Sequence, residues 1–209
     1  MASDATVFTD TALLRGFVGA PMDLAVQKSL PKLDRLCRKF IADSPFLCLG
    51  TADRHGTADV SPRGDPPGFV QVLDDTTILI PERPGNRRVD SLANIVENPN
   101  VGILFFVPGI EETLRLNGRA SVIRDSALLA GLAVNGKAPK LAIRVEVQEV
   151  FLHCAKALKR SKLWDPGRHR SRKDFPSIGR AILEQTRSNA YDADEVDRLV
   201  EDDYKNNLY

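Results

Sequence analysis

Apolar residues recur along this chain at two periods, and the changes between them mark its elements. Over Lys32–Ala42, Leu33, Leu36, Cys37, Phe40 and Ile41 fall at helical spacing, and Pro45 ends the run. From Phe46 the pattern is that of β-structure. Phe46–Ala52 is a compact apolar run, Asp53-Arg54-His55-Gly56 reads as a turn, and Thr57–Ser61 as the returning strand. Phe69–Leu73 and Thr77–Pro81 flank Asp74-Asp75-Thr76 as a second hairpin. Helical spacing returns over Arg87–Glu97 through Val89, Leu92, Ala93 and Val96, and Asn98-Pro99 stops it.

Val101–Val107 is apolar throughout and predicts a buried strand. Leu114, Leu116, Ala120 and Val122 alternate with polar neighbours, with Gly118 marking a bend or close approach. Ile143, Val145 and Val147 repeat the alternation, and between the two strands Asp125 caps a short helix over Ser126–Ala133. Beyond them the chain turns helical: Ala155–Trp164, Ser177–Arg187, and Asp192–Lys205 with Asp192 and Glu195 in capping-box spacing. Before Lys32, Gly16, Gly19, Pro21 and Pro31 predict an arm with one short helical turn. Six or more antiparallel strands with two inserted helices predict a small β-barrel rather than a doubly wound sheet. The expected organisation is an arm over 1–31, the barrel over 32–165, and a helical extension of the same domain over 166–209.

The 209 residues, 43% hydrophobic and 27% charged, suit one folded domain. No apolar run approaches the ~20 residues that a bilayer needs, and no secretory signal opens the chain, so neither a membrane nor export is expected. Cys37, Cys48 and Cys154 are odd in number and far apart, which argues against a disulfide scaffold or zinc ribbon and for the reducing cytoplasm. Net charge is +1, but Ala155–Arg180 carries nine bases against two acids and Ala181–Tyr209 eight acids against three bases. With only Trp164 and Phe175 in the basic run to stack bases, attraction between the two segments or to a partner subunit explains this better than nucleic acid.

Two stretches carry candidate chemistry. In Pro84-Gly85-Asn86-Arg87-Arg88, Asn86 is a good N-cap, so Arg87 and Arg88 are expected to open the following helix. Cations there oppose the helix dipole, unless a bound phosphate draws both guanidinium groups and the free N–H groups together. Solvated arginines, or pairs with Glu82, Asp90 or Glu97, are the alternative. In Val60-Ser61-Pro62-Arg63-Gly64-Asp65-Pro66-Pro67-Gly68, a strand ends in polar groups on stiff backbone, suited to the edge of a heteroaromatic ring or to an ordinary polar turn. Hydrolase, metalloprotease and P-loop motifs are absent, and His55, His153 and His169 lie too far apart in sequence to suggest a metal site.

Taken in order, Ser61-Pro62-Arg63-Gly64-Asp65, Ile80-Pro81-Glu82-Arg83-Pro84-Gly85-Asn86-Arg87-Arg88, Glu97-Asn98-Pro99 and Thr113-Leu114-Arg115-Leu116-Asn117-Gly118-Arg119-Ala120 resemble the pyridoxamine 5'-phosphate oxidase-related, FMN-binding split-barrel family over about residues 33 to 164. The segment His153–Trp164 looks like a subgroup of FMN-dependent enzymes of undefined substrate. The resemblance implies a six-stranded antiparallel Greek-key split barrel that binds FMN. Arg87 and Arg88, with Asn86, would hold the phosphate. Val60, Ser61, Arg63 and Asp65 would line the flavin ring and ribityl chain, with Arg63 the cation for the ring edge, and Ile80, Pro81 and Glu82 would meet the ring. It further implies a cytoplasmic homodimer with FMN at the interface, Lys156, Arg160 or Trp164 reaching the other subunit's cofactor, and hydride or electron transfer with a small organic substrate. No acid–base residue is assigned, and a non-catalytic flavin or haem carrier is the rival reading.

Overall fold

The computed structural model describes residues 7–209. The sheet consists of β1 (Phe46–Ala52), β2 (Ala58–Gly64), β3 (Gln71–Val72), β4 (Thr77–Pro81), β5 (Asn100–Phe106), β6 (Thr113–Ile123) and β7 (Ala142–His153). All pairings are antiparallel, in the order β2-β1-β5-β6-β7-β4-β3. The seventh strand is the two-residue β3, short because Phe69 and Val70, which start the apolar run, turn into the core. The sheet curls until the end of β2, at one edge, meets the chain just past β4, near the other.

Inside the curl, alternate residues of the strands meet: Leu47 and Leu49, Ile103 and Phe105, Leu114 and Leu116, Ile143 and Val145, Ile78 and Ile80. α3 (Arg35–Asp43) adds Cys37 and Ile41, and α4 (Asp90–Glu97) adds Leu92 and Ile95. Asp34 caps α3 by accepting from the Cys37 amide at 2.7 Å, and burial pushes the Cys37 thiol up to about 11. β4 is buried on both faces because Leu79 packs outward against Leu129 and Leu132, around α5 (Ser126–Ala130). Asp125 caps α5, as expected.

The arm holds two helices, α1 (Thr11–Val18) and α2 (Asp23–Gln27), neither with a buried residue. Lys28, whose Nζ donates to the Leu152 carbonyl at 2.7 Å, and the Leu30–Val150 bridge fix the arm's root to β7. After β7 come α6 (Lys156–Ser161), two 3-10 turns at Pro166–Arg168 and Arg172–Asp174, then α7 (Ile178–Thr186) and α8 (Ala193–Asn206). Ser177 and Asp192 cap the last two helices. Among the described residues no helix is long and apolar enough to cross a membrane.

The longest strand pair slips register between Asn117 and Gly118. A Cβ on Gly118 would overlap the Glu146 carbonyl, so the bend is open to glycine alone. Gly118→Ala is expected to cost about 3 kcal/mol, because the overlap lies on backbone and cannot be relieved by a rotamer change. Urea unfolding of the variant checks this, and a midpoint equal to wild type would show that the strands can part there.

Candidate functional site

Where the curled sheet nearly closes, four charges interlock. The Arg63 guanidinium donates to the Glu82 carboxylate, and Arg83 Nε donates to Asp65 Oδ2 at 2.6 Å. These pairs join the end of β2 to the chain after β4, which the sheet order leaves unbonded. The side chains of Arg63 and Arg83 are 15% exposed and that of Asp65 1%, so the carboxylate's interactions are all with protein. Beside them lies a cavity of about 370 Å³ lined by residues that include Ser61, Arg63, Phe69, Glu82, Arg83 and Asn86. Pro62, Pro81 and Pro84 stiffen its rim.

The loop leaving this cavity departs from its expected form. Asn86 does not cap a helix at Arg87. Its Oδ1 accepts from the Arg88 amide at 3.0 Å, making a local turn. Arg87 (φ 61°) and Val89 (φ 54°) are left-handed, which breaks any helix begun at Arg87, and α4 starts only at Asp90. Val89 occupies the N-cap position and offers no side-chain cap. A left-handed β-branched residue costs on the order of 1–3 kcal/mol, a strain typical of ligand-binding turns. Arg88 Nε donates to Asp90 Oδ2 at 2.8 Å, and Arg87 is exposed. Ser91 Oγ lies 3.0 Å from Ser61 Oγ and 3.3 Å from Asp59 Oδ2, which stitches the start of α4 to β2.

Ser61, Arg63, Pro81, Glu82 and Asn86 thus share one cavity. Asp65 stands behind its wall, and Ile80 is a core side chain. Val60 points to the opposite face of β2, and there it joins Cys48, Gly50, Gly102, Leu104, Asn117, His153, Cys154 and Leu158 around a second cavity of about 460 Å³. α6 flanks that face. Trp164 Nε1 donates to the Ile110 carbonyl at 2.8 Å, the Lys159 ammonium pairs with Glu111, and Lys156 and Arg160 are exposed. Within one chain Lys156, Arg160 and Trp164 line neither cavity. No group of three or more His, Cys, Asp or Glu among the described residues is placed to hold a metal ion.

The family model described as Pyridoxamine 5'-phosphate oxidase matches residues 33–154, more than half of the chain and the whole curled sheet. The chain belongs to the pyridoxamine 5'-phosphate oxidase family. No curated protein matches it. Among solved structures it is similar to HupZ of Group A Streptococcus, with TM-score 0.47, 18% identity, and cover of 57% of this chain and 93% of that one. General Stress Protein 26 of Bacillus anthracis gives 0.43, 17%, 55% and 88%. An FMN-binding protein of Syntrophomonas wolfei gives 0.43, 10%, 68% and 95%.

In this family member Arg83, Asp59, Ser91 and Tyr209 belong to the site's surroundings without having been picked out in the sequence. Arg83 stands inside the motif around Asn86, and its pairing with Asp65 across the sheet is a tertiary fact. Tyr209 OH donates to Asp65 Oδ1 at 2.7 Å from 144 residues away, and no local pattern announces it. Asp65→Ala, which strands the Arg83 guanidinium in a low-dielectric wall, is expected to cost about 3–5 kcal/mol. Denaturant titration measures it, and a loss below ~1 kcal/mol would mean that water reaches the pair.

Proposed function

We propose that this protein is an FMN-dependent oxidoreductase acting on a small organic molecule, with the cofactor in the cavity between the end of β2 and the 82–89 loop. The observation that carries the reading is the junction of that cavity with an uncapped helix start. Asn86 lines the cavity, and the two arginines after it lead into α4, whose first N–H groups have no intrahelical partner. An anion placed there would receive those N–H groups and two guanidinium groups. The volume, about 370 Å³, falls within the ~300–1,000 Å³ of small-molecule sites. Phe69 and the prolines offer apolar surface for a ring, and the Ser61 hydroxyl and Arg63 guanidinium offer hydrogen bonds at its edge.

Bound there, FMN would supply the hydride and electron chemistry; the protein binds, orients and shields it. Arg87 and Arg88 would hold the phosphate. Arg63, anchored by Glu82, cannot swing away, which keeps a donor fixed against the ring edge while its charge stays offset. No side chain in the cavity is needed as proton source if water reaches the substrate.

The same reading makes the protein a homodimer. The apolar surface outside the sheet lies on β1, β2 and β5: Val60 is 66% and Phe46 39% exposed, with Leu104 and Phe106 half-buried beside them. β7 does not share this role, since Ile143, Val145 and Val147 face inward and Arg144 and Glu146 outward. Gly50 and Gly102 stand opposite each other on that face and permit close approach of a second backbone. Because β2 carries Val60 on this face and Ser61 on the cavity side, a second copy here would bring its own Lys156, Arg160 and Trp164 toward the first copy's cofactor.

Arg87→Ala with Arg88→Ala is expected to weaken FMN binding by about two to four orders of magnitude, at ~1.5–3 kcal/mol per charge-assisted contact. Flavin fluorescence titration measures it once circular dichroism has shown the variant folded, and wild-type affinity would remove the phosphate assignment. Bleaching of the bound flavin by NADH or NADPH separates an enzyme from a carrier. Light scattering on the flavin-loaded protein is expected to give twice the 23.0 kDa chain mass; a monomer with bound flavin would refute the shared site. Mixing the Arg87/Arg88 variant with a Lys156→Ala/Arg160→Ala variant is expected to restore one working site per heterodimer.

A further inference from the structure

We infer that Tyr209 is a latch on the cofactor cavity: hydrogen-bonded to Asp65, its side chain fixes Arg83 in the cavity wall and so slows release of the bound flavin. The inference rests on the flavin reading above. Asp65 is shared between two partners, Oδ2 with Arg83 Nε at 2.6 Å and Oδ1 with the Tyr209 hydroxyl at 2.7 Å. The Arg83 guanidinium carbon lies 5.4 Å from the centre of the Tyr209 ring, and Arg83 Nη2 donates to the Leu132 carbonyl at 2.9 Å. A carboxylate, a carbonyl and an aromatic face therefore hold one guanidinium in place. Lys137 Nζ donates to the Tyr209 carbonyl at 3.1 Å and pins the backbone of the same residue. Hydrogen bonding to Asp65 pushes the Tyr209 phenol above its ordinary value, which keeps it a donor at neutral pH.

Arg83 lines the cavity, whereas Asp65 and Tyr209 do not, so Tyr209 acts through Arg83 as a positioning residue. The tail that delivers it is built to open. α7 and α8 pair with each other, yet Ile178, Ile182, Leu199 and Tyr204 remain more than a third exposed. A helix pair that buries so little apolar surface is weakly held locally. The polar cluster at Tyr209 then decides whether the tail is docked.

The test uses full-length protein, FMN as ligand, and the variants Tyr209→Phe and Tyr209→Ala. Stopped-flow flavin fluorescence is expected to show dissociation about tenfold faster in Tyr209→Phe, the effect of losing one hydrogen bond to a charged acceptor, with wild-type stoichiometry at saturation. A merely structural defect would lower the stoichiometry and leave the remaining flavin leaving at the wild-type rate, and that result overturns the latch. So does an unchanged dissociation rate in both variants. Amide exchange of the flavin-free protein is a second readout, with faster exchange over 82–86 expected in Tyr209→Phe. Should wild-type protein take up no FMN, the flavin reading falls. The latch is then decided by exchange alone: unchanged protection over 82–86 overturns it, and lost protection sustains it.

Discussion

The closure of the sheet by Arg63, Asp65, Glu82 and Arg83 is the constraint from which the site's geometry follows. A sheet whose edge strands are not bonded to each other needs something to set how far it curls. Here two acids and two bases alternate across the gap. Buried pairs of this kind add little net stability, because desolvation cancels most of their attraction. Their value is in register: sliding β2 by one residue would turn Arg63 to the strand's other face and leave Glu82 without its partner. The pairs therefore fix the spacing of the cavity walls while the apolar core supplies the folding energy.

That fixed spacing gives the 82–89 loop a firm starting point. From Pro81, buried and paired with β7, the chain has eight residues in which to cross the cavity's rim and enter α4. It does so through two left-handed residues that are not glycine. Strain of this kind persists only where both ends are over-determined. One end is held by Arg83 in its polar nest, the other by Ser91 on Ser61 and by Leu92 and Ile95 in the core.

Much of this was legible in the sequence because periodicity records burial. β1 and β4 lie where alternation and apolar runs put them, and the Gly118 bend, the Asp125 cap and the helices after Ser177 and Asp192 fall at their signals. Val60 to Asp65 and Asn86 to Arg88 stood out as chemistry because polar groups on stiff backbone are rare at strand ends. What stayed hidden depends on contacts between distant segments. The left-handed residue at Val89 contradicts its β-branched side chain and so defeats local propensity. The inward placement of Ile80 follows from strand phase, but the Tyr209 contact with Asp65 has no precursor in any window of sequence.

The charges around the cavity are balanced largely within the protein itself. Arg63 and Arg83 are each neutralised by their own acid, so they add hydrogen-bond donors to the wall without adding net field. The surplus charge sits one step away, at the start of α4, where two arginines oppose the helix dipole. Asp90 offsets this from inside the chain: it lies in the first turn, where a carboxylate is favourable, and accepts from Arg88 at 2.8 Å. The carboxylate occupies the electrostatic role that a phosphate would take. It does so from an exposed position in which solvent screens the pair, so a dianion approaching from the cavity meets Arg88 held by a weak competitor and Arg87 exposed to solvent. On the phosphate reading proposed above, a stronger internal pair would close the site to anions, and an absent one would leave two like charges against the helix dipole at a strained turn.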